Sequence, residues 1–165
     1  MSCMAAGTVV NKGAIELIGI AVRTSNAAEA AGNGAIGALW QRFREQEIAA
    51  RIADRSDPHG VVAVYCDYAS DESGAYTVIV GCQVTAIRDV PAGMVSRSIA
   101  AAHYLQLPTA RGALPGIGIE AWGRIWQDGE LKARRTFTAD LELYGPEASD
   151  PQDATFDILI GIKPT

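Results

Sequence analysis

The chain states one pattern twice. Trp40-Gln-Arg42-Phe43 returns as Trp122-Gly-Arg124-Ile125, Tyr76-Thr-Val-Ile-Val-Gly81 returns as Phe156-Asp-Ile-Leu-Ile-Gly161, and Tyr68 returns as Tyr144, each roughly 80 residues later. Both copies run strand, helix, strand, strand. Such a repeat narrows the possible folds to two half-units packed side by side. Two one-sided sheets related by a pseudo-twofold axis also leave a groove between them.

In the first copy, Gly13-Ala-Ile-Glu-Leu-Ile-Gly-Ile-Ala-Val-Arg23 is apolar on both faces and rich in β-branched residues, as a central strand is. It follows an irregular start. From residues 33 to 52, Ile36, Leu39, Trp40 and Phe43 recur at helical spacing while Gln41, Arg42, Glu45 and Gln46 fall elsewhere, which predicts an amphipathic helix lying on a sheet. Val61 to Tyr68 and Tyr76 to Val84 then form a hairpin around an acidic turn. In the second copy, Val95 to Leu107 is read as one strand and Pro115 to Gln127 as a helix with Gly129 just beyond it. Thr136 to Tyr144 and Phe156 to Lys163 are the closing hairpin. The expectation is one α+β domain over residues 1–165. It holds two βαββ repeats at about 13–87 and 94–164, in a pseudo-twofold arrangement, with an antiparallel sheet, helices on one side and a ligand groove between the repeats.

Gly32-Asn-Gly34-Ala-Ile-Gly37 matches the glycine spacing of a dinucleotide-binding turn. That turn needs a strand ending at the first glycine and a parallel continuation, whereas here about eight residues intervene and a hairpin follows. The stretch is read instead as a helix entry capped by Asn33.

Composition sets the remaining bounds. At 48% apolar and 20% charged, 165 residues bury a full core without a staple. A net charge of −5 with no basic cluster argues against direct nucleic-acid binding. Cys3, Cys66 and Cys82 are odd in number and lack metal-ligand spacing, which speaks for reduced thiols in a cytoplasmic protein. His59 and His103 stand alone, so no metal is expected. No basic leader precedes an apolar run and no apolar stretch approaches a membrane span, so no export or membrane role is expected. Nothing in the sequence calls for a cofactor. Asp71, Glu72, Asp150 and Asp153 belong to turn chemistry in two hairpin loops.

The residue that stands apart is Glu142. With a period of two, Asp140, Glu142 and Tyr144 share one face of their strand and Ala139, Leu141 and Leu143 the other, so a carboxylate sits mid-strand among apolar neighbours. Two readings are open. Glu142 is either a solvated or salt-bridged sheet residue, with Arg124, Arg134 or Arg135 as its partner, or it is an anion kept for a ligand. Trp40, Phe43, Trp122 and Trp126 face the sheet by spacing, and only some can line a groove. Alternation puts Tyr68 on the face opposite Tyr65.

The ordered series Ile18-Gly-Ile-Ala-Val-Arg-Thr-Ser-Asn26, Leu39-Trp40-Gln-Arg-Phe43, Val64-Tyr-Cys-Asp-Tyr68, Tyr76 to Gly81, Ile99-Ala-Ala-Ala-His-Tyr104, Asp140-Leu-Glu-Leu-Tyr144 and Ile158 to Lys163 resembles the GyrI-like small-molecule-binding domain, also called the AraC-type effector-binding domain. The resemblance covers nearly the whole chain and implies a stand-alone form of that domain, without an attached DNA-binding unit. It also implies a groove that takes hydrophobic, often cationic, compounds, with Glu142 facing the cation. Tyr104 matches a recurrent position of the family, and Trp40, Tyr68, Trp122, Trp126 and Tyr144 complete the expected ligand-binding set. Two other roles occur among relatives: hydrolysis of reactive cyclopropane-bearing compounds, which would make Glu142 catalytic, and inhibition of a gyrase-like partner. A partner protein or a homodimer remains compatible with each.

Overall fold

The computed structural model describes residues 7–164. The chain runs β1 (Thr8–Lys12), β2 (Ile15–Ser25), α1 (Asn26–Ala30), α2 (Ile36–Glu45), β3 (Val61–Cys66) and β4 (Ala75–Gln83). It continues as β5 (Val95–Ile99), β6 (Ala102–Pro108), α3 (Gly116–Gln127), α4 (Gly129–Arg134), β7 (Arg135–Tyr144) and β8 (Asp157–Ile162). All eight strands join one antiparallel sheet in the order β1-β6-β8-β7-β3-β4-β2-β5. The fold is the expected α+β arrangement.

That order is symmetric about the β7–β3 ladder, where Val61 faces Tyr144 and Cys66 faces Ala139. The leading strands trade places: β1 pairs with β6, and β5 pairs with β2. Only Gly13 and Ala14 separate β1 from β2, although six strand spacings, about 29 Å, lie between them across a flat sheet. Two linking residues reach barely a third of that. The sheet therefore rolls and draws its two edges together.

Rolling produces two cores. Ile15, Leu17, Val64, Tyr104, Leu141 and Leu159 pack on one face of the sheet, and the other face carries Ile18, Val78, Ile158 and Ile160 beneath α2 and α3. The β2–β4 ladder sets Gly19 against Gly81, and a side chain on either would run into the backbone of the other strand. Glycine is what lets these strands approach.

Three expectations change. The expected irregular start contains β1, with Cys3 and the rest of that start outside the described residues. The stretch Val95 to Leu107 is two strands, since Ala100 and Ala101 turn the chain from β5 at one side of the sheet to β6 at the other. The helix expected over 33–52 is α2, preceded by the separate short α1, and Asn33 does not cap it. Glu29 does so from α1, accepting from the amides of Ala35 (2.7 Å) and Ile36 (3.3 Å). A carboxylate bonded to the free amides of a first turn also suits the positive end of the helix.

Candidate functional site

Between α2 and α3 the sheet floor opens into a groove of about 1240 Å³. The helices contribute Trp40 and Phe43 from one side and Trp122 and Trp126 from the other, while Tyr65, Tyr144 and Phe156 rise from the strands. The helical stripes thus divide. Leu39 and Ile125 close on the core, and the tryptophans border the groove. All three tryptophans of the chain are wall residues.

The rings form two arcs that meet at one carboxylate. Trp40 stands edge-on to Tyr144 at 5.1 Å, and Tyr144 stacks on Phe156 at 4.3 Å. Trp126, Trp122, Tyr65, Tyr76 and Tyr68 follow one another on the other side, with centroids 5.0 to 6.3 Å apart. Where the arcs meet, Glu142 accepts a hydrogen bond from Trp122 Nε1 (2.8 Å) and another from the Tyr144 hydroxyl (2.9 Å). Glu142 is 4% exposed. Burial pushes its carboxyl up, against the pull of Trp122, Tyr144 and the nearby Tyr65 hydroxyl.

No arginine among the described residues forms an ion pair with it. Among the three candidates, Arg124 pairs with Glu120 on the outside of α3, and Arg135 pairs with Asp140 at 2.7 Å. Asp140 also accepts from the Tyr68 hydroxyl (2.5 Å) and the Gly161 amide (2.8 Å). Desolvation pushes the Asp140 carboxyl up as well, while the guanidinium, the phenol and the amide draw it down. Three donors, one of them a cation, favour the charged form of Asp140 against that desolvation. Burial and the neighbouring Asp140 charge in turn push the Tyr68 hydroxyl far up, so it stays a donor.

The structure brings together Glu142, Trp40, Tyr68, Trp122, Trp126 and Tyr144 on one groove. Tyr104 is not with them. It faces Gly161 across the β6–β8 ladder, is 1% exposed, and packs in the second core on the opposite side of the sheet. Tyr68 corrects the other way. Strict alternation separates it from Tyr65, but Asp67 between them adopts φ 52° and resets the parity, so both rings face the groove. Sequence reasoning did not count Tyr65, Arg135 or Phe156 among the groove walls: Arg135 entered only as a candidate partner of Glu142, and Phe156 only as part of the repeat. A signal for Arg135 existed in Gly161, a glycine in mid-strand that marks an irregular ladder. Among the described residues no cluster of three His, Cys, Asp or Glu could hold a metal ion, and no helix is long and apolar enough to cross a membrane.

The family model of integron-associated effector binding proteins, Cass2, matches residues 8–162. The chain belongs to that family. Its fold is the GyrI-like one that the sequence resembles. As a Cass2-type chain it is 30% identical over 145 residues to YobU of Bacillus subtilis (strain 168), named as a candidate transcriptional regulator, covering 88% of this chain and 90% of that one. Among solved structures, the integron cassette protein VCH_CASS2 from the mobile metagenome of Vibrio cholerae superposes with a TM-score of 0.77 at 26% identity, covering 96% of both chains. SAV2435, whose structure was solved with tetraphenylphosphonium bound, reaches a TM-score of 0.77 over 95% of this chain and 93% of its own. At 16% identity that last likeness concerns the fold alone. The Cass2 family makes this chain a small-molecule effector-binding protein.

Proposed function

We propose that this protein captures hydrophobic organic cations, with Glu142 as the counter-charge and the surrounding rings as the walls. The observation that carries the reading is the set of partners around Glu142: a carboxylate 4% exposed whose bonds come from an indole and a phenol, with no cationic side chain paired to it among the described residues. A buried charge left in that condition is costly. A bound cation supplies the missing half of the pair, gaining roughly 4 kcal/mol at about 4 Å and an effective dielectric near 20, before desolvation is subtracted. Ring faces add about 0.5–2 kcal/mol by cation–π attraction.

Size agrees with chemistry. Drug-sized ligands occupy pockets of about 300–1,000 Å³, so a groove of about 1240 Å³ admits a bulky aromatic cation. The tetraphenylphosphonium held by SAV2435 is a compound of this class.

Fluorescence titration tests the reading, because every tryptophan of the chain borders the groove. Tetraphenylphosphonium should quench at micromolar concentration, and neutral triphenylphosphine oxide should bind far more weakly. Glu142→Gln, which keeps an acceptor for Trp122, should weaken the cation by roughly ten- to a hundredfold and leave the neutral compound unchanged. Equal loss for both compounds would show that Glu142 shapes the groove without selecting charge. Product analysis with a reactive cyclopropane-bearing compound separates capture from hydrolysis.

A further inference from the structure

Strand β7 has a fault that charge capture at Glu142 does not require. Between Arg135 and Asp140, five steps of β7 face only two of β8, from Ile162 to Ile160. Inside this bulge Phe137 adopts φ 51°, a left-handed conformation that bulky residues rarely take. Gly161 opposite has no room for a side chain, since a Cβ there would stand 2.6 Å from the Ala139 carbonyl oxygen. Such strain persists only where the surrounding structure holds it in place.

What the fault builds is a seat for a guanidinium. Arg135 is 3% exposed, forms part of the groove wall, lies over the Phe137 ring at 4.3 Å and bonds Asp140 through Nη2. Its Nε is buried without any partner. Native structures rarely leave a buried donor unmet, and this one belongs to a residue that borders the groove.

We infer that Arg135 is a second subsite, which takes a carbonyl oxygen on the ligand whose cationic centre rests at Glu142. The inference deepens the cation-binding reading and rests on it. Asp140 and Glu142 leave the same face of β7 two residues apart, about 7 Å, and the guanidinium lies against Asp140. The two ligand groups are therefore on the order of 7–10 Å apart. The acceptor is neutral, because a carboxylate placed there would meet the charge of Asp140. The ligand class is an amphipathic cation carrying an amide, ester or ketone on a short chain.

Three phosphonium probes of equal chain length decide the matter: pentyltriphenylphosphonium, its amide-terminated analogue and its carboxylate-terminated analogue. On the wild-type protein the amide should bind about tenfold more tightly than the pentyl compound, and the carboxylate no more tightly than it. In Arg135→Lys, which keeps a charge for Asp140, the ratio of amide to pentyl affinity should fall to about one. Nitrogen-15 NMR of the wild-type protein reads the site without any substitution: the Arg135 Nε–H resonance should move with the amide and stay in place with the pentyl compound. Equal affinity for amide and pentyl probes, an advantage that survives Arg135→Lys, or an unmoved resonance overturns the subsite while leaving Glu142 its role. Failure of the wild-type protein to bind the pentyl compound removes both readings.

Discussion

Two corners of the groove, built two residues apart on one strand, treat a buried carboxylate in opposite ways. At the Asp140 corner the charge is closed: a guanidinium, a phenol and a backbone amide surround it, and it is 0% exposed. At the Glu142 corner the donors are an indole and a phenol, neutral groups that orient the carboxylate without balancing it. The first corner brings its own cation within the chain; under the proposed function the second takes its cation from a guest. The difference teaches where stability ends and binding begins on a single strand.

Removing the internal cation should give the largest effect. Arg135→Met strands the Asp140 charge and should cost about 3–5 kcal/mol in urea denaturation, since breaking a buried pair leaves one ion uncompensated. The double variant Arg135→Met with Asp140→Asn should recover most of that loss. Glu142→Gln should cost little or even stabilise the ligand-free protein, because it deletes an unbalanced buried charge. A loss for Glu142→Gln as large as that for Arg135→Met would erase the distinction between the corners.

The pH dependence sharpens the contrast. Burial raises the Glu142 carboxyl above its unfolded value, so the folded chain holds this proton more firmly. The associated stability is fully present below the ordinary carboxylate range and is lost as pH rises through the raised folded value, by at most about 1.4 kcal/mol per pH unit. Asp140 is also pushed up by burial, so the useful quantity is the difference between wild type and Glu142→Gln. The urea midpoint of the wild type should fall relative to the variant as pH rises above the ordinary carboxylate range. Saturating tetraphenylphosphonium should reverse the trend, because the cation favours the charged form. Parallel profiles with and without the cation would mean that Glu142 has a partner within the chain.

How much of this was legible depended on local regularity. The alternation of Asp140, Glu142 and Tyr144 on one face held because that segment of β7 pairs evenly with both neighbours. The face of Tyr68 failed at a single residue, since the φ of 52° at Asp67 is invisible to a period-two count. Tyr104 shows a different gap. A family position gives a residue type, but the side of the sheet depends on how the sheet rolls, and that follows from the exchange of β1 and β5 between the halves. Arg135 was readable only as a charge near Glu142. Its actual partner is set by a bulge whose extra residues carry no sequence signature of their own. Glu29 replaced Asn33 as the cap for a similar reason: the cap comes from the preceding helix, outside the usual window for such residues.

The smallest expected effect lies where the groove meets solvent. Trp126 is 43% exposed, and its ring sits 6.3 Å from that of Trp122, which binds Glu142 directly. Water competes there for any cation, so the ring contributes at the low end of cation–π attraction, about 0.5–1 kcal/mol. Trp126→Ala should therefore weaken tetraphenylphosphonium by about two- to fivefold and shift folding stability by no more than roughly 0.5 kcal/mol. Trp40→Ala, in contact with Tyr144 beside the carboxylate, should weaken it further. Calorimetric titration of the two variants ranks them. If Trp126 proved the more costly, the guest would rest at the mouth, and the unbalanced charge of Glu142 would act on it from a distance.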